Sequence, residues 1–325
     1  MKQLVQCELC PRNCILDENQ KGECRIRINI GGKLYTVTYG HPCSIHVDPV
    51  EKKPLYHFLP ATPILSLATV GCNLHCKNCQ NWEISQAEPY QYETEFIEPA
   101  EIANLAIQYK CPSVAYTYTE PLAYYEYTYD CCKVVVEKGL KNVLVTAGYI
   151  NEEPYKQLLQ FVHAANIDLK SFSDEFYRTV CDGTLKPVLK TLELTKKAGV
   201  ELEVTNLVIP TLNDKDEDIQ KLSNWIVVNL GKDTPLHFSQ FYPQYKMTHL
   251  PPTPLETLVK ARQIAQNEGL QFVYIGNIIH REGSNTYCPS CKTLLIERYG
   301  FNVLTNNIVD GSCPKCGTKI YGTWK

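Results

Sequence analysis

From residue 64 onward, short β-rich runs alternate with longer helical stretches, and this alternation constrains the architecture more than any other feature. The runs are ILSLATV (64–70), VAYTYT (114–119), NVLVTA (142–147), NIDLK (166–170), VELEVTNLVI (200–209), LHFSQF (236–241) and FVYIGN (272–277). Between them, EPAEIANLAIQYK, PYKQLLQFVHA and LETLVKARQIAQNEG read as helices. Strands separated by helices pair in parallel, through right-handed crossovers. About 210 residues in six or seven such units predict an α/β fold, an incomplete TIM-like (β/α)6 barrel over residues 61–282. A doubly wound open sheet is the structural alternative.

In either architecture the chemistry belongs at the carboxyl ends of the strands. Polar groups gather there. The first run leads straight into Gly71-Cys72, the second ends in Thr119-Glu120 and the third in Thr146-Ala147-Gly148. The fourth ends in Asp168-Leu169-Lys170, the fifth carries Thr205 and Asn206, and the sixth carries His237. Taken singly, each of these also reads as a plain cap of a helix or strand end. Together they converge on one rim from distant parts of the chain.

The chain holds 16 cysteines in 325 residues. Its net charge of −3 and lack of a dominant basic run argue against a nucleic-acid partner. No stretch approaches the length and apolarity of a membrane span, and MKQLVQCELC lacks the apolar run of a signal peptide, so a cytoplasmic location is expected. Clustered cysteines in that setting favour metals over disulfides. Cys72, Cys76 and Cys79, in GCNLHCKNCQNW, supply three thiolates where a closed tetrahedral site or a fully ligated iron–sulfur cuboid takes four. One iron of a four-iron cluster would then be open to substrate or cofactor.

Cys288, Cys291, Cys313 and Cys316 form two Cys-x2-Cys knuckles, which read as a zinc-ribbon-like tail over 283–325 with a coordinatively closed, structural site. Zinc is expected there, although thiolates alone do not separate zinc from iron. Residues 1–60 read as a cysteine-rich knuckle followed by a β-hairpin around Gly31-Gly32. Its Cys7, Cys10, Cys14 and Cys24 suit either zinc or an auxiliary four-cysteine cluster. Nearby His41, His46 and His57 are possible ligands, at least two of them expected to be ordinary polar residues. Cys43, Cys111, Cys131, Cys132 and Cys181 are expected to be buried and inert.

Cys-x3-Cys-x2-Cys on the loop after the first strand of such a barrel resembles the radical SAM superfamily. DPVEKKPLYHF (48–58), GCNLHCKNCQNWEIS (71–85), YTYTEP (116–121), IDLK (167–170), VTNLVIPTLND (204–214), PLHFSQFYPQY (235–245) and VYIGN (273–277) resemble the radical SAM enzyme of the AmmeMemoRadiSam system, a relative of the pyruvate formate-lyase activating enzymes. The likeness runs along nearly the whole chain. It implies a [4Fe-4S] cluster with S-adenosylmethionine (SAM) chelated to its open iron. Reductive cleavage then yields a 5′-deoxyadenosyl radical that takes hydrogen from a substrate.

The resemblance also implies roles. Glu120 matches the position that holds the SAM amino group, and Asp168 and Lys170 match the Asp-x-Lys near its carboxylate and ribose. His237 falls at a SAM-contacting histidine, Asn206 and Val208 at the segment flanking the adenine, and Trp82 beside the cluster or adenine, where a plain core aromatic is the alternative. The chain departs from the pattern at Thr119 and Ala147, where Asn is expected, and at Gln240, where Arg is expected. The substrate is not legible, though a protein is a candidate. A glycyl-radical activase is one alternative, and a non-catalytic iron–sulfur or zinc electron carrier or adaptor is another. Implied partners are a low-potential electron donor and Memo-like and Ammecr-like proteins.

Overall fold

The computed structural model describes residues 4–325. At its centre is one eight-stranded sheet: β1 (Ser44–Pro49), β2 (Pro63–Ala68), β3 (Ser113–Tyr116), β4 (Lys141–Thr146), β5 (Ala164–Asp168), β6 (Glu201–Val208), β7 (Leu236–Gln240) and β8 (Val273–Gly276). All seven β-rich runs of the sequence are strands of this sheet. β1 pairs antiparallel with β2. The six remaining pairings are parallel. The principal crossover helices are α1 (Pro99–Gln108), α2 (Tyr125–Glu137), α3 (Glu152–Leu159), α4 (Leu185–Lys197), α5 (Asp216–Asn229) and α6 (Leu255–Asn267).

Strand order in space equals strand order in the chain. A doubly wound sheet reverses its order at a switch point, and this one never does, which rules out the open-sheet alternative. Right-handed crossovers then place all six helices on one side, and the sheet curls into a partial barrel of six β/α units and a closing strand. The parallel strands are buried on both faces, so SVAY in β3 and ELEVTN in β6 show no burial alternation. Helix faces follow a 3.6 period: α2 buries Tyr127, Thr128, Cys131, Cys132 and Val135. Cys111, Cys131 and Cys132 are thus core residues, as expected.

The N-terminal hairpin pairs Arg27–Ile30 with Lys33–Thr36 and turns at Gly31-Gly32, both at positive φ. The tail is a three-stranded antiparallel sheet of Thr286–Tyr287, Leu294–Tyr299 and Asn302–Asn306. It is not a loose appendage. Tyr56, Phe272 and Tyr274 of the barrel share a core with Cys288, Leu295, Ile296, Cys313 and Ile320. Buried Arg298 donates to the Tyr56 carbonyl (2.8 Å) and sits over the Tyr56 ring. His57 sits at this seam with Nδ1 2.6 Å from the Tyr321 carbonyl and Nε2 2.6 Å from the Tyr274 hydroxyl. Its two ring nitrogens are thereby occupied; His41 lies against Thr94 and Phe96, and His46 against Tyr118. Among the described residues, no helix is long and apolar enough to cross a membrane.

Candidate active site

The carboxyl ends of the parallel strands open into a cavity of about 520 Å³, within the size range of small-molecule and cofactor sites. Cys72, Cys76 and Cys79 all line it. The loop that carries them starts at Gly71, whose φ of +98° suits glycine. A Cβ there would come within 2.5 Å of Ile26 Cγ2 and 2.8 Å of the Cys24 carbonyl, so the loop rests directly on the N-terminal knuckle. On its other side, backbone N–H groups of His75 and Lys77 donate to the Cys181 and Val180 carbonyls at 3.0 and 2.9 Å. That partner segment, Tyr177–Cys181, is a π-helical turn, a distortion frequent at functional sites.

Burial pushes the Cys72 thiol well up, and nearby Glu120 adds to the effect. Burial raises Cys79 as well. Cys76 is held below the ordinary thiol value, chiefly by a hydrogen bond from Cys181. Cys181, expected to be inert, therefore touches the metal-binding loop. A lone cysteine gives no such signal in sequence.

Glu120 is buried at the end of β3. Its carboxylate accepts from Thr146 Oγ1 (2.5 Å), Ala147 N (2.8 Å) and Leu122 N (3.1 Å). Burial raises its pKa despite these donors, so a cation entering the cavity beside it would be favoured. Asp168 and Lys170 project from the β5 end two residues apart, hence on one face, and form an ion pair at 2.7 Å. Burial would lower the Lys170 ammonium, but Asp168 and Cys76 more than offset it and hold it well above its ordinary value. Glu120, Asp168, Lys170 and His237 all line the cavity with the three cysteines.

Other expected positions differ. On β6 it is Thr205 and Leu207 that line the cavity, while Asn206 and Val208 point away, because side chains alternate along a strand. Asn206 instead braces the β5 end, donating to the Leu169 and Lys170 carbonyls at 2.8 and 3.2 Å. His237 reaches the cavity wall but is held at 2.5 Å by the buried carboxylate of Glu203. Burial alone would raise Glu203; His237 and His57 outweigh it and keep the carboxyl below its ordinary value. Trp82 does not line the cavity and stacks on Tyr245, ring centres 5.1 Å apart. The departures are accommodated. Ala147 contributes its backbone N–H to Glu120, Thr119 donates to the Thr69 carbonyl, and Gln240 donates to the Thr253 carbonyl.

Sequence reasoning assigned no role to the DPVEKKP segment, which builds a second wall. Glu51, Lys52 and Lys53 line the cavity. Buried Lys53 lies 2.5 Å from Asp48, and burial still pulls its ammonium down to about 8. Tyr118 donates to the same Asp48 carboxylate.

The C-terminal cysteines form a different kind of site. Among the described residues, Cys288, Cys291, Cys313 and Cys316 are the group whose ligand atoms all lie within 4.8 Å of one another. The Cys288–Cys316 and Cys291–Cys313 sulfurs are 3.5 and 3.6 Å apart. A metal–sulfur bond of about 2.3 Å sets tetrahedral sulfurs about 3.8 Å apart, so the spacing suits a single ion, zinc among the candidates.

The comparisons with known proteins agree with this geometry. The family model of the Radical SAM superfamily matches residues 66–223. An uncharacterized protein of Methanocaldococcus jannaschii is 50% identical over 318 residues, spanning 97% of this chain and 95% of that protein. A pyruvate formate-lyase-activating enzyme of Clostridium pasteurianum is 25% identical over 165 residues, spanning 48% of this chain and 66% of the enzyme. The crystal structure of Streptococcus suis SuiB bound to S-adenosylmethionine shares the fold, with a TM-score of 0.51 at 14% identity over 70% of this chain and 53% of that one. A radical SAM domain implies a [4Fe-4S] cluster and SAM, and the residues present fit both. Three sulfurs line one cavity beside a carboxylate and an ammonium, and the buried Thr205 hydroxyl in its wall has no hydrogen-bond partner within the protein. The chain belongs to the radical SAM superfamily.

Proposed function

We propose that this chain cleaves SAM reductively and uses the product radical to take a hydrogen atom from a substrate, with Cys72, Cys76 and Cys79 holding the cluster. The carrying observation is that three thiols, Glu120 and the Asp168–Lys170 pair line one cavity at the strand ends. When bound, the cluster supplies one electron that splits a carbon–sulfur bond of SAM, giving methionine and a 5′-deoxyadenosyl radical that becomes 5′-deoxyadenosine on hydrogen abstraction.

The chain's own groups bind and orient. Glu120 is placed to accept a cationic amino group, since its carboxylate already sits among three donors and needs a positive partner to offset burial. Lys170, kept charged by Asp168, suits a carboxylate as a point charge. Thr205 offers an unused hydroxyl. The barrel wall keeps bulk water from a reactive radical.

A non-catalytic electron carrier would need the thiols but not the charged set around them. Within the catalytic reading, the similarity to activating enzymes supports a protein substrate, and a glycyl-radical activase is the sharper form of that reading. A low-potential electron donor and the Memo-like and Ammecr-like partners belong to the same proposal. The test is anaerobic reconstitution with iron and sulfide, followed by one-electron reduction in the presence of SAM. Release of methionine and 5′-deoxyadenosine is expected. A fully loaded cluster that leaves SAM intact on reduction would overturn the proposal.

A further inference from the structure

The four N-terminal cysteines are not arranged like the four at the C-terminus. Cys7, Cys10, Cys14 and Cys24 all line one small enclosed cavity with Arg12, Arg27 and Asn73. Their sulfurs fall outside the 4.8 Å grouping that the C-terminal four satisfy, and in this they match Cys72, Cys76 and Cys79. We propose that Cys7, Cys10, Cys14 and Cys24 hold a second, fully ligated [4Fe-4S] cluster, set against the loop of the first through Asn73.

Size separates the two candidate occupants. A single zinc draws four sulfurs to about 3.8 Å from one another and leaves no void between them. A cuboid gives each thiolate a different iron, so the sulfurs stand farther apart around an interior. The N-terminal cavity has about 20 Å³ of room for water-sized atom centres.

The lining supports a sulfur-rich occupant. Arg27 is 94% buried, being only 6% exposed, and its Nε–H has no partner within the protein. Its NH2 group is already used, bound to Glu126 at 2.5 Å. The Arg12 backbone and the Asn73 side chain face Cys10, and the Ile26 and Arg27 backbones face Cys24. N–H donors aimed at ligating thiolates stabilise and tune such clusters. Gly22 lies between two of the ligands: a Cβ there would stand 3.7 Å from Cys14 Sγ and 3.8 Å from Cys24 Sγ. Four protein thiolates close the coordination, so this cluster has no position for SAM, in contrast to the first. Asn73 follows Cys72 directly and faces the N-terminal cavity, which puts the two metal sites on either side of one residue.

The inference does not depend on SAM cleavage and is tested by composition. The full-length triple variant Cys72→Ala, Cys76→Ala, Cys79→Ala is reconstituted anaerobically with iron and sulfide in the presence of zinc. It should keep about four iron and about four sulfide per chain, with an electron paramagnetic resonance signal on reduction, while the parent holds about twice that. About two zinc and no iron in the triple variant would overturn the proposal, as would one iron without sulfide. The complementary variant Cys10→Ala, Cys24→Ala should lose half of the parent's iron yet keep the cluster on Cys72, Cys76 and Cys79. Circular dichroism distinguishes this from unfolding, and undiminished iron in a folded double variant would also overturn the assignment.

Discussion

Arg12 of the N-terminal knuckle donates from Nε to the backbone carbonyl of Asn73, 2.5 Å away and one residue after Cys72. The same guanidinium reaches the Asp182 carbonyl (2.5 Å) and its carboxylate (3.0 Å). The His75 ring closes the set, 2.7 Å from that carboxylate. One side chain therefore ties together the knuckle, the three-cysteine loop and the turn after Cys181. None of these segments is a regular element with its own ladder of backbone bonds, so their mutual geometry depends on such cross-ties.

Removing that tie should loosen the loop without removing any cofactor-binding group. Arg12→Ala leaves the Asn73 carbonyl without its donor, at an expected stability cost of about 1–3 kcal/mol. Hydrogen exchange should quicken in residues 71–80 and 177–183 while the barrel strands stay protected. Unchanged exchange in both segments would show that the loop is held by other contacts.

The cavity wall makes opposite forecasts for neighbouring residues. Glu120→Ala and Lys170→Ala each remove one charge-assisted contact and should weaken SAM binding roughly tenfold or more, about 1.5–3 kcal/mol, at normal cluster content. Thr205→Val should weaken binding less, as it removes a neutral hydroxyl. Val208→Ala should cost stability through a core cavity and leave SAM affinity alone, because Val208 faces away from the cavity. Equilibrium binding to the reconstituted protein measures all four.

The C-terminal site should matter for folding. Small metal modules draw much of their folding free energy from the ion, about 10–16 kcal/mol apparent for zinc-finger peptides. Cys313→Ser should make residues 285–325 protease-sensitive and expose Tyr56 and Tyr274, which share the tail's core. SAM cleavage by the surviving intact protein should persist. The tail's Phe301 lines the main cavity. A folded Cys313→Ser variant that keeps its clusters and SAM yet cannot cleave it would place the tail in the mechanism.

Much of this was legible in sequence because strands buried on both faces leave strong apolar runs, and because polar residues at strand ends interrupt them. All seven runs became strands, and Cys72, Cys76, Cys79, Glu120, Asp168 and Lys170 came together as expected. The same double burial hid the phase of β6. ELEVTN is buried throughout, so nothing in the pattern says which residues face inward, and the reading fell one residue out of register at Asn206 and Val208. Long-range pairings were invisible for a different reason. Glu203–His237, Arg12–Asn73 and Cys76–Cys181 join residues whose proximity arises only when the barrel closes.

His57 gives the clearest pH dependence. Burial pulls its imidazole from 6.5 down to about 4, against the attraction of Glu203 and with Arg298 and His237 opposing a charge. A neutral ring fits the contacts, with Nδ1–H donating to the Tyr321 carbonyl and Nε2 accepting from the Tyr274 hydroxyl. The unfolded chain binds a proton at this residue below about pH 6.5, and the folded chain does not until about pH 4. Its contribution is therefore complete above pH 6.5 and is lost as pH falls through that window, about 3 kcal/mol in all. Depressed carboxylates such as Asp48 and Asp182 lose their stabilisation only at lower pH. Buried Glu51 and Glu201, raised by burial, act in the opposite sense. Half-buried His163, lowered by partial burial, adds a slope of the same sign as His57. The difference between the parent and His57→Gln isolates the residue from these backgrounds. Urea unfolding at pH 7.5, 6.5, 5.5 and 4.5 should show the two stability curves converging as the pH falls. Parallel curves across the window would mean that His57 carries its proton in the folded protein too.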